Sequence, residues 1–156
     1  MRRKNKIWNG SFVCIFNQKF TKVLMLQRNW EKKKQEGKTW ERRSMWGNIG
    51  GSVEKGERPK QAVIREAREE IGIKLKPKAV ILAFAQERNS AEKPYKINFY
   101  VTSIEESTKV KINDESYSYK WFSVKKLPPN MLDKRGDILK CMDIAISKIG
   151  KIKHMV

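Results

Sequence analysis

The chain has 156 residues, with 35 Lys and Arg against 17 Asp and Glu, a formal net charge of +18 at pH 7. A chain of this length suits one domain that buries about 68–70% of the surface its unfolded form exposes, so disulfide staples are not needed. Hydrophobic residues at 39% and five tryptophans exclude wholesale disorder, and the charge predicts polyanionic company.

The basic start, Met1 to Lys4, is followed by too short an apolar stretch for a secretory signal. Charge-free stretches, such as those over 10–18 and 79–86, fall well below the ~20 apolar residues that cross a bilayer. Cys14 and Cys141 lack CxxC spacing and sit in apolar contexts, as small core residues do. These features predict a cytoplasmic protein with no membrane partner. Residues 11–16 and 22–27 read as two strands around a turn. The strongly charged stretch 28–43, with Trp30 and Trp40, has no clean period and reads as a long loop or basic insertion. Residues 45–53 are glycine-rich and apolar, which suggests a short strand with close backbone approach.

Residues 59–71 are the clearest helix: Pro59 opens it, Gly72 follows it, and Ala62, Val63, Ala67 and Ile71 repeat at helical spacing. The apolar run VILAFA within 78–86 predicts a buried strand, 95–104 a second strand, and 88–94 the turn between them. A last strand is expected over 119–124, and a helix over 137–149 after the break at Pro128 and Pro129. Strands interleaved with two helices describe one mixed α/β domain.

His154 is the only histidine, which argues against a Ser/His/Asp triad or a His-rich metal site and leaves the chemistry to carboxylates. Glu66, Glu69 and Glu70 stand at i, i+3 and i+4, within roughly a 100° arc of a helix, so all three point the same way. Like charges so placed repel, unless a divalent cation turns repulsion into ligation. Hard oxygen donors without His or Cys favour Mg²⁺ or Mn²⁺ over Zn²⁺.

The surrounding residues extend this pattern. Gly51, Glu57 six positions later, Arg65-Glu66, Glu69-Glu70 and Gly72 follow the order Gly, five residues, Glu, seven residues, Arg-Glu, a small apolar residue, any residue, Glu-Glu, any residue, Gly, apolar. Over residues 51–73 the sequence resembles the defining box of the Nudix hydrolase family, with Ala67 in a slot where a bulkier residue is usual. The resemblance implies an α/β/α sandwich with a mixed sheet, and hydrolysis of a nucleoside diphosphate linked to another moiety, with divalent metal.

By matching position, the resemblance implies that Glu66 and Glu70 are metal ligands, that Glu69 ligates a second metal or positions water, and that the carbonyl of Gly50 completes the shell. It also implies that Glu57 and Arg65 brace the loop against the helix, with Gly51 and Gly72 structural. The general base comes either from the box, as Glu66 or Glu69, or from outside it, as Glu115, Asp114, Glu105 or Glu106. Glu115, in a polar loop just before the last strand, is the preferred external candidate.

Upstream, Trp46-Gly47-Asn48-Ile49-Gly50-Gly51 is similar to a motif in family enzymes that clean oxidised purine nucleotides, with Gly and Asn exchanged. A one-residue shift in a strand turns a side chain to the other face, so Asn48 is not simply equivalent to their base-reading Asn. Trp46 either stacks a base or fills the core. Pro94 and Tyr95 come too late for the family's ADP-ribose or dinucleoside polyphosphate patterns. A nucleoside triphosphate, ordinary or oxidised, is the leading expectation for the substrate; the alternatives are the 5′ end of RNA, ADP-ribose or a dinucleoside polyphosphate, or a non-catalytic nucleotide- or RNA-binding domain, and a homodimer is a frequent family assembly. The box carries five acidic and five basic residues, so the whole excess of positive charge lies outside it, suited to phosphate-bearing partners that include RNA.

Overall fold

The central strands are apolar on both faces because both faces are covered. In the computed structural model, which describes residues 7–29, 45–89 and 94–150, β1 (Trp8–Asn17) runs through the middle of the sheet. Its odd residues, such as Val13 and Ile15, join the core of α1 (Pro59–Ile71). The even ones, such as Cys14 and Phe16, join that of α2 (Arg135–Ala145). Alternate side chains thus point to opposite layers, which gives a continuous apolar run rather than an alternating one. The result is an α/β/α sandwich.

Among the described residues the sheet has seven strands and is mixed. On one side β1 pairs in parallel with β6 (Pro94–Ile104), from Trp8 with Tyr95 to Asn17 with Ile104. On the other it pairs antiparallel with β2 (Lys22–Arg28) at one end and with β4 (Ile49–Ser52) at the other. The short β3 (Trp46–Gly47) pairs with β2, whose far side carries β7 (Ser116–Ser123). Beyond β6 lies β5 (Ile81–Asn89). The strand opened between β1 and β2 is therefore filled by β3 and β4, which carry the glycines next to the box.

Helix α1 has the boundaries its sequence predicts. Pro59 is its first residue, and the Arg58 N–H is satisfied by Gln61 Oε1 at 2.9 Å. Gly72 ends it at φ +68°, and the N–H groups of Gly72 and Ile73 return to the carbonyls of Arg68 and Ala67. That left-handed stop costs glycine nothing and any other residue strain.

Three expectations change. Arg28 belongs to β2 rather than to the basic insertion, because β7 supplies it with a strand partner, Ser116. Residues 30–43 of the insertion, with Trp30, Trp40 and lysines 32–34 and 38, lie outside the described residues, as does His154. The VILAFA strand is only half-buried: it starts at Ile81, sits at the sheet edge, and leaves Leu82 43% exposed because α1 lies over β1 and β4 instead. The final helix begins at Arg135 and passes after Ala145 into a π-type turn, Ile146–Gly150. No helix among the described residues is long and apolar enough to cross a membrane.

Candidate active site

A cleft of about 480 Å³ opens where β4, α1 and the end of β2 meet. Volumes of this order take small-molecule ligands. It is lined by Gly50 and Gly51 of β4, by Arg65, Glu66, Glu69 and Glu70 of α1, by Arg28, and by Glu115 from the loop before β7. The approach of α1 depends on Gly51. A Cβ there would stand 2.8 Å from Glu66 Oε1.

The three clustered carboxylates have different surroundings. Glu70 is 2% exposed, its Oε2 accepting from Arg28 Nη1 at 2.8 Å and its Oε1 from the Gly50 N–H at 3.3 Å. Burial pushes its carboxyl up to about 8, against the pull of Arg28 and helped by the neighbouring Glu66 carboxyl. Glu66 is largely buried and accepts from Arg65 Nη1 at 3.0 Å. Glu69 is more than half exposed and is drawn to the same nitrogen at 3.2 Å.

Arg65 organises the wall. Its Nε and Nη2 grip the two oxygens of Glu57 at 2.8 and 3.1 Å, and Nη2 also donates to the Ser52 carbonyl. This fork holds the Glu57 carboxyl below the usual range. The loop carrying Glu115 is tied to α1: Asn113 Nδ2 donates to the Glu69 carbonyl at 2.9 Å, and the Lys111 N–H to that of Ile71. Glu115 itself is pinned through its backbone, by Asn113 Oδ1 and by the Asn29 N–H.

The donor set fits a divalent cation. Glu66 and Glu70, one helical turn apart at the cleft wall, offer hard oxygens that would hold such a cation. Among the described residues no three Asp, Glu, His or Cys groups stand together in ligating geometry. The cause is visible: Glu69 is turned to Arg65, which Glu66 shares, and Glu70 inward to Arg28.

Other candidates lie elsewhere. Glu106 is at the opposite end of β1, bound to Lys22 Nζ at 3.2 Å and to Asn17 Nδ2 at 2.7 Å, and Glu105 lines the same distant hollow. Neither reaches the cleft, because the strand that precedes them ends beside the β1–β2 turn. Trp46 meets Phe122 edge-on at 4.8 Å and packs on the α2-side core. Asn48 is buried, its N–H bonded to Asp133 Oδ2 at 2.9 Å. Its side-chain amide lies beside Asp133 with no well-formed hydrogen bond. Burial pushes Asp133 up, opposed by that backbone N–H and by Arg28.

Two cleft residues carry no sequence signal. Arg28 joins Glu70 to the Asn48 carbonyl, which its Nη2 meets at 2.9 Å. Only its place at the polar end of an apolar strand hints at this. Trp8 stands at the rim, 45% exposed, with its indole N–H on Ser52 Oγ at 2.8 Å.

The sequence matches the profile of the NUDIX domain over residues 8–140. The chain belongs to the Nudix family. It is 31% identical over 128 residues to the putative nudix hydrolase 1 of Caenorhabditis elegans, a match covering 81% of this chain and 32% of that protein. The chain thus spans about a third of that curated relative's length. In three dimensions it is similar to a MutT/nudix family protein from Enterococcus faecalis, with a TM-score of 0.73 at 18% identity, over 96% of this chain and 66% of that one. It is also similar to the MutT protein of Methanosarcina mazei, with a TM-score of 0.69 at 21% identity, over 94% of this chain and 100% of that one. These likenesses are of fold. Nudix hydrolases generally work with divalent metal ions.

Proposed function

We propose that this chain hydrolyses a phosphoanhydride bond of a nucleoside diphosphate joined to another group, and that the substrate is a nucleoside triphosphate, ordinary or oxidised. The observation that carries the reading is that Glu66 and the buried Glu70 stand together beside the Gly50 backbone in the wall of a ligand-sized cleft. Glu66 and Glu70 are the residues to hold Mg²⁺ or Mn²⁺, with Glu69 and the Gly50 carbonyl completing the set. Once bound, such an ion neutralises charge on phosphate oxygens and lowers the pKa of a bound water.

The protein's own part is positioning. Arg65 holds Glu66, Arg28 holds Glu70, and the Asn113 tether brings the Glu115 loop to the same wall. In this reading Glu115 receives the proton of the attacking water. The water oxygen bonds to one phosphorus of the α–β bridge, the bond from that phosphorus to the bridging oxygen breaks, and the bridging oxygen leaves with the other phosphorus, so that nucleoside monophosphate and pyrophosphate separate.

The test is to incubate the protein and Mg²⁺ or Mn²⁺ with ordinary and oxidised dNTPs, ADP-ribose, dinucleoside polyphosphates and triphosphorylated RNA, and to identify products by mass. Nucleoside monophosphate from dNTPs is expected. Glu70→Gln and Glu115→Gln should each lower kcat by about a hundredfold or more. Failure of the wild type to turn over any compound, or equal rates for wild type and Glu70→Gln, would overturn the proposal. A second reading, action on the 5′ end of RNA, is favoured by the +18 charge and would show as preferred turnover of the triphosphorylated RNA.

A further inference from the structure

The cleft lining is unequal in chemistry. Its charged groups suit phosphates and cations, while among the described residues large apolar surface comes from Leu132 and Trp8. We propose that Trp8 is the stacking platform on which the nucleobase of the substrate lies. This rests on the reading of the substrate as a nucleotide.

The ring is exposed yet held. Trp8 is 45% exposed, and among the described residues it is the one exposed large aromatic in the cleft, since Tyr117 and Tyr119 do not line it. Its Nε1–H donates to Ser52 Oγ at 2.8 Å, which fixes the ring's orientation. The indole lies over Gly10, where any added Cβ would run into its six-membered ring. Phe12 and Tyr95 pack beside it at centroid distances of 6.5 and 6.1 Å, tilted by 52° and 55°. The strand below is locked too, because the Val53 N–H donates to the Asn9 carbonyl at 2.9 Å.

A large π surface kept partly in water, but already immobilised, loses little freedom when a planar ligand covers it. The indole's single polar group is spent on Ser52, so a ligand meets a face rather than a donor. Every nucleobase has a π face, so the platform recognises a base without choosing among bases. Discrimination must come from other groups.

The experiment compares wild type, Trp8→Ala and Trp8→Phe with dGTP, dCTP and inorganic tripolyphosphate, which carries phosphates without a base. Trp8→Ala should raise KM for both nucleotides by about tenfold with a much smaller change in kcat, and Trp8→Phe should restore most of the loss. Inhibition by tripolyphosphate should be unaltered. Nucleotide-induced quenching of tryptophan emission should be large in wild type and reduced in Trp8→Phe, a readout that does not depend on Trp8→Ala folding.

Unchanged KM in a folded Trp8→Ala, equal weakening of tripolyphosphate, or identical quenching in wild type and Trp8→Phe would each overturn the assignment. If the wild type turned over neither nucleotide, the hydrolase reading for these substrates would fall. The quenching comparison would then judge Trp8 by itself.

Discussion

Glu70 and Glu57 are both carboxyls held by an arginine, yet burial gives them opposite pH signatures. Glu57 is held below its ordinary value of 4.5 by the Arg65 fork, so it contributes stability above that pH, lost as pH falls through its folded value. Glu70 is raised to about 8, so between about 4.5 and 8 the folded protein keeps a proton that the unfolded chain gives up. Its contribution therefore falls as pH rises through that window. Chelator-treated protein should lose thermal stability as pH rises from 5 towards 8, on the order of a few kcal/mol, and Glu70→Gln should flatten the trend. Mn²⁺ should stabilise more at the upper end, because ligation needs the ionised carboxyl. Melting curves at several pH values, with and without Mn²⁺, check all three expectations.

Arg28 belongs to the same balance. Removing it strands Glu70 and the Asn48 carbonyl in a nearly dry place, so Arg28→Ala should cost about 2–3 kcal/mol in denaturant unfolding. Adding Glu70→Gln should recover part of the loss, a non-additivity that a double-mutant cycle reads directly. The clustered glutamates were legible because one helix sets their mutual spacing. Arg28 was not, because its partner lies 42 residues away and only the pairing of β2 brings them together.

At the scale of elements, the box is two rigid pieces and their contact. Gly51→Ala would place a Cβ 2.8 Å from Glu66 Oε1 and 3.2 Å from its carboxyl carbon, so the side chain must swing away. Activity should drop by about tenfold or more while the unfolding midpoint changes little, since the atoms that must give way are the end of a flexible side chain and not backbone. Gly72→Ala should do the reverse. Its φ of +68° and a 3.2 Å approach to Lys111 Cβ make the left-handed stop costly, about 1–2 kcal/mol of stability with kcat nearly intact. Paired unfolding and rate measurements separate the two. The helix was legible to the residue because its stop signals are local. The half-exposed β5 was misread because hydrophobicity reports a strand's propensity but not whether a helix will lie above it.

For the whole molecule, the excess of positive charge lies outside a box that is itself balanced. A polyanionic substrate should be drawn in by this field and released from it by salt. We expect kcat/KM for a nucleoside triphosphate to fall by about tenfold as ionic strength rises from 0.05 to 0.5 M, with kcat less affected, because the Debye length shrinks towards a few ångströms. Steady-state rates in a KCl series test this.

The parallel pairing of β1 with β6 joins residues 87 positions apart at every step, from Trp8 and Tyr95 onward. The hinge of the sandwich is thus a contact that cannot form until most of the chain exists. During synthesis the box and its helix emerge early, but β1, against which β4 must lie, waits for its other neighbour. Folding should therefore be slow for a protein of this size, governed by loop closure rather than by helix formation. A nascent chain ending soon after Gly72 would contain every residue of the box and still have no completed sheet on which to mount it.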